Sequence, residues 1–427
     1  MKKAIILLVV LCLLAGGAIG YFSAHEQKTA VTGAPAAPVS EPAEAAEPVE
    51  AAEPVEAAEP VEAAEPADAA EEAARLYVPD YEAMYALHEP DEIVGTVGGH
   101  EVSWGEYYYL YFSQAKQIEN YFNTMSMYYG ASPAWSDPVE EDGVRSFADI
   151  VREGADSSLR QIRAIELLAE ENGVELTDEQ QEAIRAQEEQ DIVGAVGEGA
   201  TVEDFNAYIE TIYLPRALYD RMNRVNFLYQ QGYSALYGEN GELVDDATAL
   251  RYLEDGGYLS ATHILLMTID ENFAALDEEA AAARKAQAEE LAAQLRAVED
   301  VKERLALFNE LKAQYCEDTG KTAYPDGYTF LPGTMVTEFE DAVLALEEYE
   351  ISDPVLTDYG YHIIMRLPLN ADSVIEYSEA GAPLTARSKA ANDAYGAKLE
   401  ESFSTLAVEY AEGFRAPNLL EYLKEAA

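Results

Sequence analysis

The apolar positions of this 427-residue chain change their spacing along its length, and each change predicts a different element. After Met1, Lys2 and Lys3, residues Ala4 to Phe22 carry no charge. That stretch has the texture of a secretory signal or a membrane-spanning helix. Glu41 to Ala70 is a six-residue repeat of the EPVEAA kind with no apolar face. Folded sequence begins near Leu76. Ile93 to Ser103 alternates about Gly98-Gly99, which predicts a short hairpin. Ser103 then caps a helix, and Glu106 three residues on completes a capping box. Leu159, Ile162, Ile165, Leu167 and Leu168 form the apolar stripe of a helix over 156–171, stopped at Asn172-Gly173. Thr177-Asp178-Glu179 starts the next helix. Thr201 opens another that runs towards Phe227.

From Ala261 the texture changes. Ala261-Thr262-His263-Ile264-Leu265-Leu266-Met267 is an apolar strand with one histidine. Two helices follow, about 275–298 and 301–314, then Tyr315-Cys316-Glu317-Asp318-Thr319 and Phe330-Leu331-Pro332-Gly333-Thr334-Met335. A short helix carries Phe339, Ala342, Val343 and Leu346. Gly360-Tyr361-His362-Ile363-Ile364-Met365 closes the segment as a strand. Strands and helices mixed in this order predict a small α+β domain. Further on, Tyr395, Leu399, Phe403, Leu406 and Tyr410 step by helical spacing, which predicts one helix packed on the 76–258 domain. The run Leu419, Leu420, Tyr422, Leu423 is expected to dock as well.

Length implies two folded domains with appendages. Charge adds a constraint: 27 Lys+Arg stand against 81 Asp+Glu, a net −54. Such a polyanion has no counterion to gain from binding phosphates, so its charge argues against nucleic acid as a partner class. In the repeat, a proline every sixth residue breaks the helical ladder that Ala and Glu would favour, and two acids per repeat make it self-repelling. It is read as an extended stalk, with a drifted low-complexity tract as the alternative. At roughly 3 Å per residue in a polyproline-like state it would reach on the order of 90 Å. A basic start before an acidic remainder places the N-terminus in the cytoplasm and the bulk outside. A retained anchor is the favoured reading; the alternatives are cleavage near Gly20 or Ala24 and lipidation at Cys12, which Leu11 disfavours where a small residue is wanted. Cys12 and Cys316 give no disulfide framework.

Candidate chemistry lies in the α+β segment. One histidine in an apolar strand is more often a core residue than a catalyst, but His263 and His362 are two of the chain's five, both in apolar strands of one segment. A metal site would need a third ligand at tighter spacing than Asp318 offers. The set of A-T-H-I-L around His263, Y-C-E-D-T, F-L-P-G-T-M, E-F-E-D-A and T-D-Y-G-Y-H-I-I-M resembles the parvulin family of peptidyl-prolyl isomerases. The flanks resemble, more loosely, the extracytoplasmic foldases of the SurA and PrsA type. The resemblance implies a parvulin domain of order βαααβαββ over 259–370, inserted in a mostly α-helical chaperone domain of 76–258. That domain would be completed by 371–427, after a membrane helix (1–22) and an acidic linker (23–75).

Carried onto this sequence, the resemblance implies that His263 and His362 are paired core histidines and that Asp318 faces the prolyl bond. It implies that Thr357 and Tyr359 join the histidine network. Met335, Phe339 and Phe330 would form the proline pocket. Cys316 lies two residues before the catalytic position and reads as a buried small residue. No cofactor and no metal are implied. The partners would be unfolded or partly folded exported proteins with X-Pro bonds, and the membrane through residues 4–22. The chain departs from the family where a glycine turn is usual: here it reads Tyr324-Pro325-Asp326-Gly327-Tyr328-Thr329. That departure keeps a second reading open, a non-catalytic chaperone with a degenerate parvulin domain. A third, a stalked surface scaffold, is also consistent with the architecture. Asp270, Glu271, Asp277, Glu278 and Glu279 after the first strand would repel phosphoserine-proline substrates.

Overall fold

A computed structural model describes residues 77–130, 132–139, 143–378 and 381–425. The expected membrane helix, the acidic repeat and Cys12 lie outside the described residues. Among the described residues, no helix is long and apolar enough to cross a membrane. The chain forms two compact units. One holds the described residues up to Ala164, Thr177–Phe227 and the stretch from Leu406; the other holds Ile165–Leu176 and Leu228–Thr405.

The first unit opens with β1 (Tyr77–Pro79), α1 (Tyr81–Tyr85) and the hairpin β2 (Ile93–Val97) and β3 (His100–Ser103). Gly98 and Gly99 take φ of 50° and 78°. Positive φ at both central residues is what a tight hairpin turn with the right twist requires. Helix α2 (Trp104–Tyr129) starts at Ser103, whose hydroxyl accepts from the Glu106 backbone N–H. The Glu106 carboxylate does not complete the capping box. It is turned to Arg221, which also contacts His100 Nε2 at 2.7 Å.

The aromatics of α2 divide along its length. Trp104, Tyr107, Tyr108 and Tyr111 are fully buried, whereas Met127, Tyr128 and Tyr129 are exposed. Trp104 also donates its indole N–H to the Tyr85 carbonyl at 2.8 Å, so this core is built from rings whose polar atoms find partners.

Helices α3 (Phe147–Glu171), α4 (Asp178–Ala195), α5 (Val202–Thr211) and α6 (Arg216–Tyr237) follow. Thr177 and Gln180 form a full capping box on α4. The single helix expected from Thr201 towards Phe227 is two helices. Between them Tyr213 takes φ of 59°, and Pro215, which has no N–H to donate, precedes the first residue of α6.

The second unit contains α7 (Asp246–Gly256) and then the α+β segment. This comprises β4 (Leu259–Met267), α8 (Glu278–Arg296), α9 (Val301–Tyr315), a 3-10 turn (Thr319–Thr322), β5 (Tyr328–Phe330), α10 (Thr337–Ala345), β6 (Val355–Leu356) and β7 (Gly360–Arg366). Between the first two strands there are two α-helices and a 3-10 turn, not three α-helices. The sheet order is β5-β4-β7-β6, antiparallel throughout. Successive strand residues face opposite sides. Ile264, Leu266, Ile363 and Met365 pack against Ala288, Leu291, Leu295 and Phe308 of α8 and α9. Leu259, Ala261 and Ile364 face Phe330, Phe339 and Val343 on the other side.

A second hairpin, β8 (Val374–Tyr377) and β9 (Pro383–Thr385), leads into α11 (Ala386–Thr405). Helix α11 packs on α7 around Val244, Ala249, Ala390 and Ala391. Arg387 reaches Asp246 at 2.5 Å and Asp372 at 2.8 Å. The Tyr395 hydroxyl donates to the Tyr229 carbonyl at 2.8 Å.

The helical face expected to extend to Tyr410 stops at Thr405. Val408–Tyr410 is instead strand β10, paired antiparallel with β2 in the first unit. An unpaired strand edge leaves backbone groups unsatisfied, and β10 covers this one. Leu419–Tyr422 is a 3-10 turn with Leu419 buried, and β11 (Leu423–Glu425) pairs with β1.

Candidate active site in the second unit

His263 and His362 come from adjacent central strands. In the register, His263 stands opposite Ile364 and His362 opposite Leu265. The two histidines are therefore diagonal neighbours on one face. Their ring centroids are 5.0 Å apart, with planes at 64°. Both are buried, at 7% and 5% exposure.

Asp318 arrives from the end of α9, where it caps the 3-10 turn through Oδ1, accepting from the Gly320 N–H at 2.9 Å. That cap fixes the carboxylate and leaves Oδ2 facing inward. There Oδ2 accepts from the Tyr328 hydroxyl at 2.6 Å and lies 3.3 Å from His263 Nε2. The His263 contact is an ion-pair distance without good hydrogen-bond alignment, since His263 Nε2 has no well-formed hydrogen bond.

Burial works to raise the Asp318 pKa. The close His263 ring and the hydrogen bonds from the Tyr328 hydroxyl and the Gly320 N–H outweigh it and hold the carboxyl well below its ordinary range. Burial and the neighbouring His263 push His362 down to about 3, against the smaller pull of Asp318. Near neutral pH the site thus contains the Asp318 carboxylate and a neutral His362 imidazole.

Thr357 is buried, and its Oγ1 lies 2.9 Å from His362 Nε2. The same oxygen accepts from the Tyr359 backbone N–H at 3.2 Å. Tyr359 joins the network through its backbone; its side chain is 40% exposed. Phe339 meets both histidine rings edge-on, at 5.3 and 5.6 Å. Phe330 is 6.1 Å from Phe339, and Met335 packs on the same cluster. The structure therefore gathers His263, Asp318, His362, Thr357, Phe339, Phe330 and Met335, and leaves the Tyr359 ring outside.

His263 Nδ1 and His362 Nδ1 are buried without a hydrogen-bond partner. An unmet buried polar group costs about 1–3 kcal/mol, and such groups call for a functional explanation. Cys316 is buried behind β4, its Sγ 3.4 Å from the Leu265 backbone N and 3.7 Å from the His263 carbonyl. It supports the strand that carries His263.

Sequence reading missed two residues. Tyr328 lies in the stretch that departs from the family's glycine turn, yet it contacts Asp318 directly. Lys312 is buried, and its ammonium donates to Thr262 Oγ1 at 3.1 Å and to the Pro325 carbonyl at 3.0 Å. It ties the altered turn to the central strand. Gly327 in that turn has φ of 111°, and a Cβ there would come 2.6 Å from the Ala261 carbonyl oxygen. The turn is built differently but is fully anchored.

An antiparallel sheet with two facing histidines, a capped carboxylate and an aromatic floor defines a parvulin-type domain. Residues 263–367 match the Rotamase family, described as the PPIC-type PPIASE domain, and this segment belongs to it. Among curated proteins, the chain is similar to foldase protein PrsA of Geobacillus sp. (strain WCH70), 52% identical over 60 residues. That match covers 13% of this chain and 21% of the relative. Foldase protein PrsA of Oceanobacillus iheyensis is 30% identical over 212 residues, covering 49% of this chain and 58% of the relative. The chain thus spans less than two thirds of either relative. Among solved structures, PrsA from Bacillus subtilis aligns over 74% of this chain and 92% of its own length, at 19% identity and a TM-score of 0.24.

Proposed function

We propose that this chain is a peptidyl-prolyl cis-trans isomerase and foldase, acting on unfolded exported proteins outside the membrane that its N-terminus anchors it to. The observation that carries the catalytic part is the juxtaposition of Asp318, His263 and His362 over the floor of Phe330, Phe339 and Met335. Isomerisation breaks no σ bond. Its barrier of about 18–20 kcal/mol is the resonance lost when the amide twists. A catalyst need only hold the twisted amide better than the planar one.

The floor is apolar and aromatic, of the polarity to seat a proline ring. Above it, the Asp318 carboxylate and the neutral His362 imidazole present fixed charge and dipole to a carbonyl and nitrogen whose charges change on twisting. Each 1.36 kcal/mol of preference for the twisted form is worth a factor of ten in rate. Tyr359, exposed at the rim, is the member of the expected network with the least direct role. The first unit, with its exposed Met127, Tyr128 and Tyr129, is the part proposed to hold unfolded segments. The acidic repeat would hold both units away from the bilayer. The PrsA relatives are named as foldases, which agrees with this assignment.

The test is cis/trans relaxation of an X-Pro peptide with the soluble chain from residue 76. His263→Ala and Asp318→Ala are each expected to lower kcat/KM at least tenfold. A wild-type protein no faster than buffer sinks the catalytic reading and leaves the chaperone reading. Suppression of client aggregation by a protein lacking 260–368 would then support that alternative.

A further inference from the structure

We propose that Tyr328 is a positioning residue of this active site, fixing the Asp318 carboxylate against His263 through its hydroxyl and the His263 ring through its face. The proposal rests on the isomerase reading for its kinetic consequence, but its structural content stands without it.

Strand register puts Tyr328 there. It pairs with Ala261, two residues before His263 on the same face of β4. The neighbouring side chain is a single methyl, which leaves room for the phenol ring beside the imidazole. The two rings are parallel within 4°, with centroids 5.7 Å apart. The hydroxyl is 2.6 Å from Asp318 Oδ2, the oxygen that faces His263 Nε2. One side chain thus contacts both members of the pair.

Tyr328 is itself held from behind. Tyr324 lies 4.8 Å from it, centroid to centroid, and Tyr377 meets Tyr324 edge-on at 5.5 Å and 87°. The Tyr377 hydroxyl donates to the Ala323 carbonyl at 2.6 Å. Tyr377 belongs to hairpin β8–β9, which follows the sheet in sequence. The hairpin thereby braces the altered turn, and the turn aims Tyr328. Lys312 secures the other side through the Pro325 carbonyl. An extra donor to a half-buried carboxylate also stabilises its ionised form, and burial together with Asp318 pushes the Tyr328 pKa up so that it stays a donor.

The groups facing Asp318 are His263 from β4, Tyr328 from β5, His362 from β7, the Gly320 N–H of the turn and, at longer range, Lys312 from α9. Removing the hydroxyl leaves the others in place, so Tyr328→Phe isolates its contribution. Carbon-13 NMR titration of the Asp318 carboxyl is the primary readout. In wild type the carboxyl is expected to stay ionised to a pH below the ordinary aspartate range; an ordinary midpoint overturns the proposal whether or not any variant folds. In Tyr328→Phe the midpoint is expected to rise by at least one pH unit, with thermal unfolding little changed. An unchanged midpoint overturns the proposal.

In the peptide assay, kcat/KM is expected to fall about 5–20-fold, roughly 1–1.8 kcal/mol, with the acid limb of its pH profile moved upward. In an Asp318→Asn background the same substitution should cost less than twofold, because the partner is already gone. Full additivity of the two would show that Tyr328 acts elsewhere. If wild type does not isomerise the peptide, the isomerase reading fails, while the titration still decides the role of Tyr328.

Discussion

Asp318 Oδ2 meets a phenol hydroxyl and an imidazole at once, and this one atom ties two strands and a turn together. Its consequences are testable through pH. His362 has a folded pKa near 3 against an ordinary value of 6.5. The unfolded chain therefore takes up the proton first as pH falls, and stability contributed by the neutral ring is complete above about pH 6.5 and lost towards pH 3. Asp318, lowered in the fold, adds a loss below about pH 4. Urea unfolding of the soluble chain should show stability declining through that window, and His362→Gln should flatten the decline. A flat wild-type profile would contradict the buried neutral imidazole. Gly327→Ala should destabilise by about 1–3 kcal/mol in the same assay, since its φ of 111° and the Ala261 carbonyl both resist a Cβ. Of the residues in the site, His263, His362, Asp318, Thr357, Phe330, Met335 and Phe339 could be read from sequence because each sits inside a short motif that resembles the parvulin family. Tyr328 could not, because its role follows from standing across the sheet from Ala261, a long-range register that no local pattern encodes.

Among elements, ends were more legible than lengths. Ser103, Thr177, Thr201 and Asp277 all cap helices as their residue types favour. Replacing Thr177 with Ala removes a reciprocal capping box and should cost about 1 kcal/mol in thermal or urea unfolding. Trp104→Ala should cost more, about 3–5 kcal/mol, because a fully buried ring that also donates to the Tyr85 carbonyl is lost. An equal effect from both would argue against the aromatic core of α2. The stretch after Thr405 shows where periodicity misleads. Leu406 and Tyr410 keep helical spacing from Tyr395, yet Tyr410 is in a strand with its hydroxyl 2.5 Å from Asp156. The open edge of β2 offers backbone partners that outweigh the local pattern. The break before Arg216 could have been found from Pro215, a signal present in the sequence and overridden by the apolar run around it.

At the scale of the molecule, the first unit is closed by the end of the chain. Strands β10 and β11 pair with β2 and β1, the Tyr111 hydroxyl donates to the Pro417 carbonyl, and Phe414 meets the ring of Trp104 at 6.0 Å. A chain ended at Thr405 loses all of these contacts. Limited proteolysis should then cut within 77–164 while 259–370 stays protected; equal protection of both would mean that the first unit closes without its last strands. The sequence by itself determined the mixed α+β character of the segment and the acidic balance of the chain, and its motifs, through their resemblance to the parvulin family, marked the paired histidines with their carboxylate. These are carried by local periodicity, by motifs and by summed charge, none of which needs the fold to be known. Only the tertiary structure decided how the Tyr324-Pro325 turn is anchored, that Tyr328 joins the carboxylate, and where the C-terminal strands go. Each of those depends on which backbone edge or side chain lies across a gap of many residues, and hydrogen-bond partners at that distance are chosen by packing.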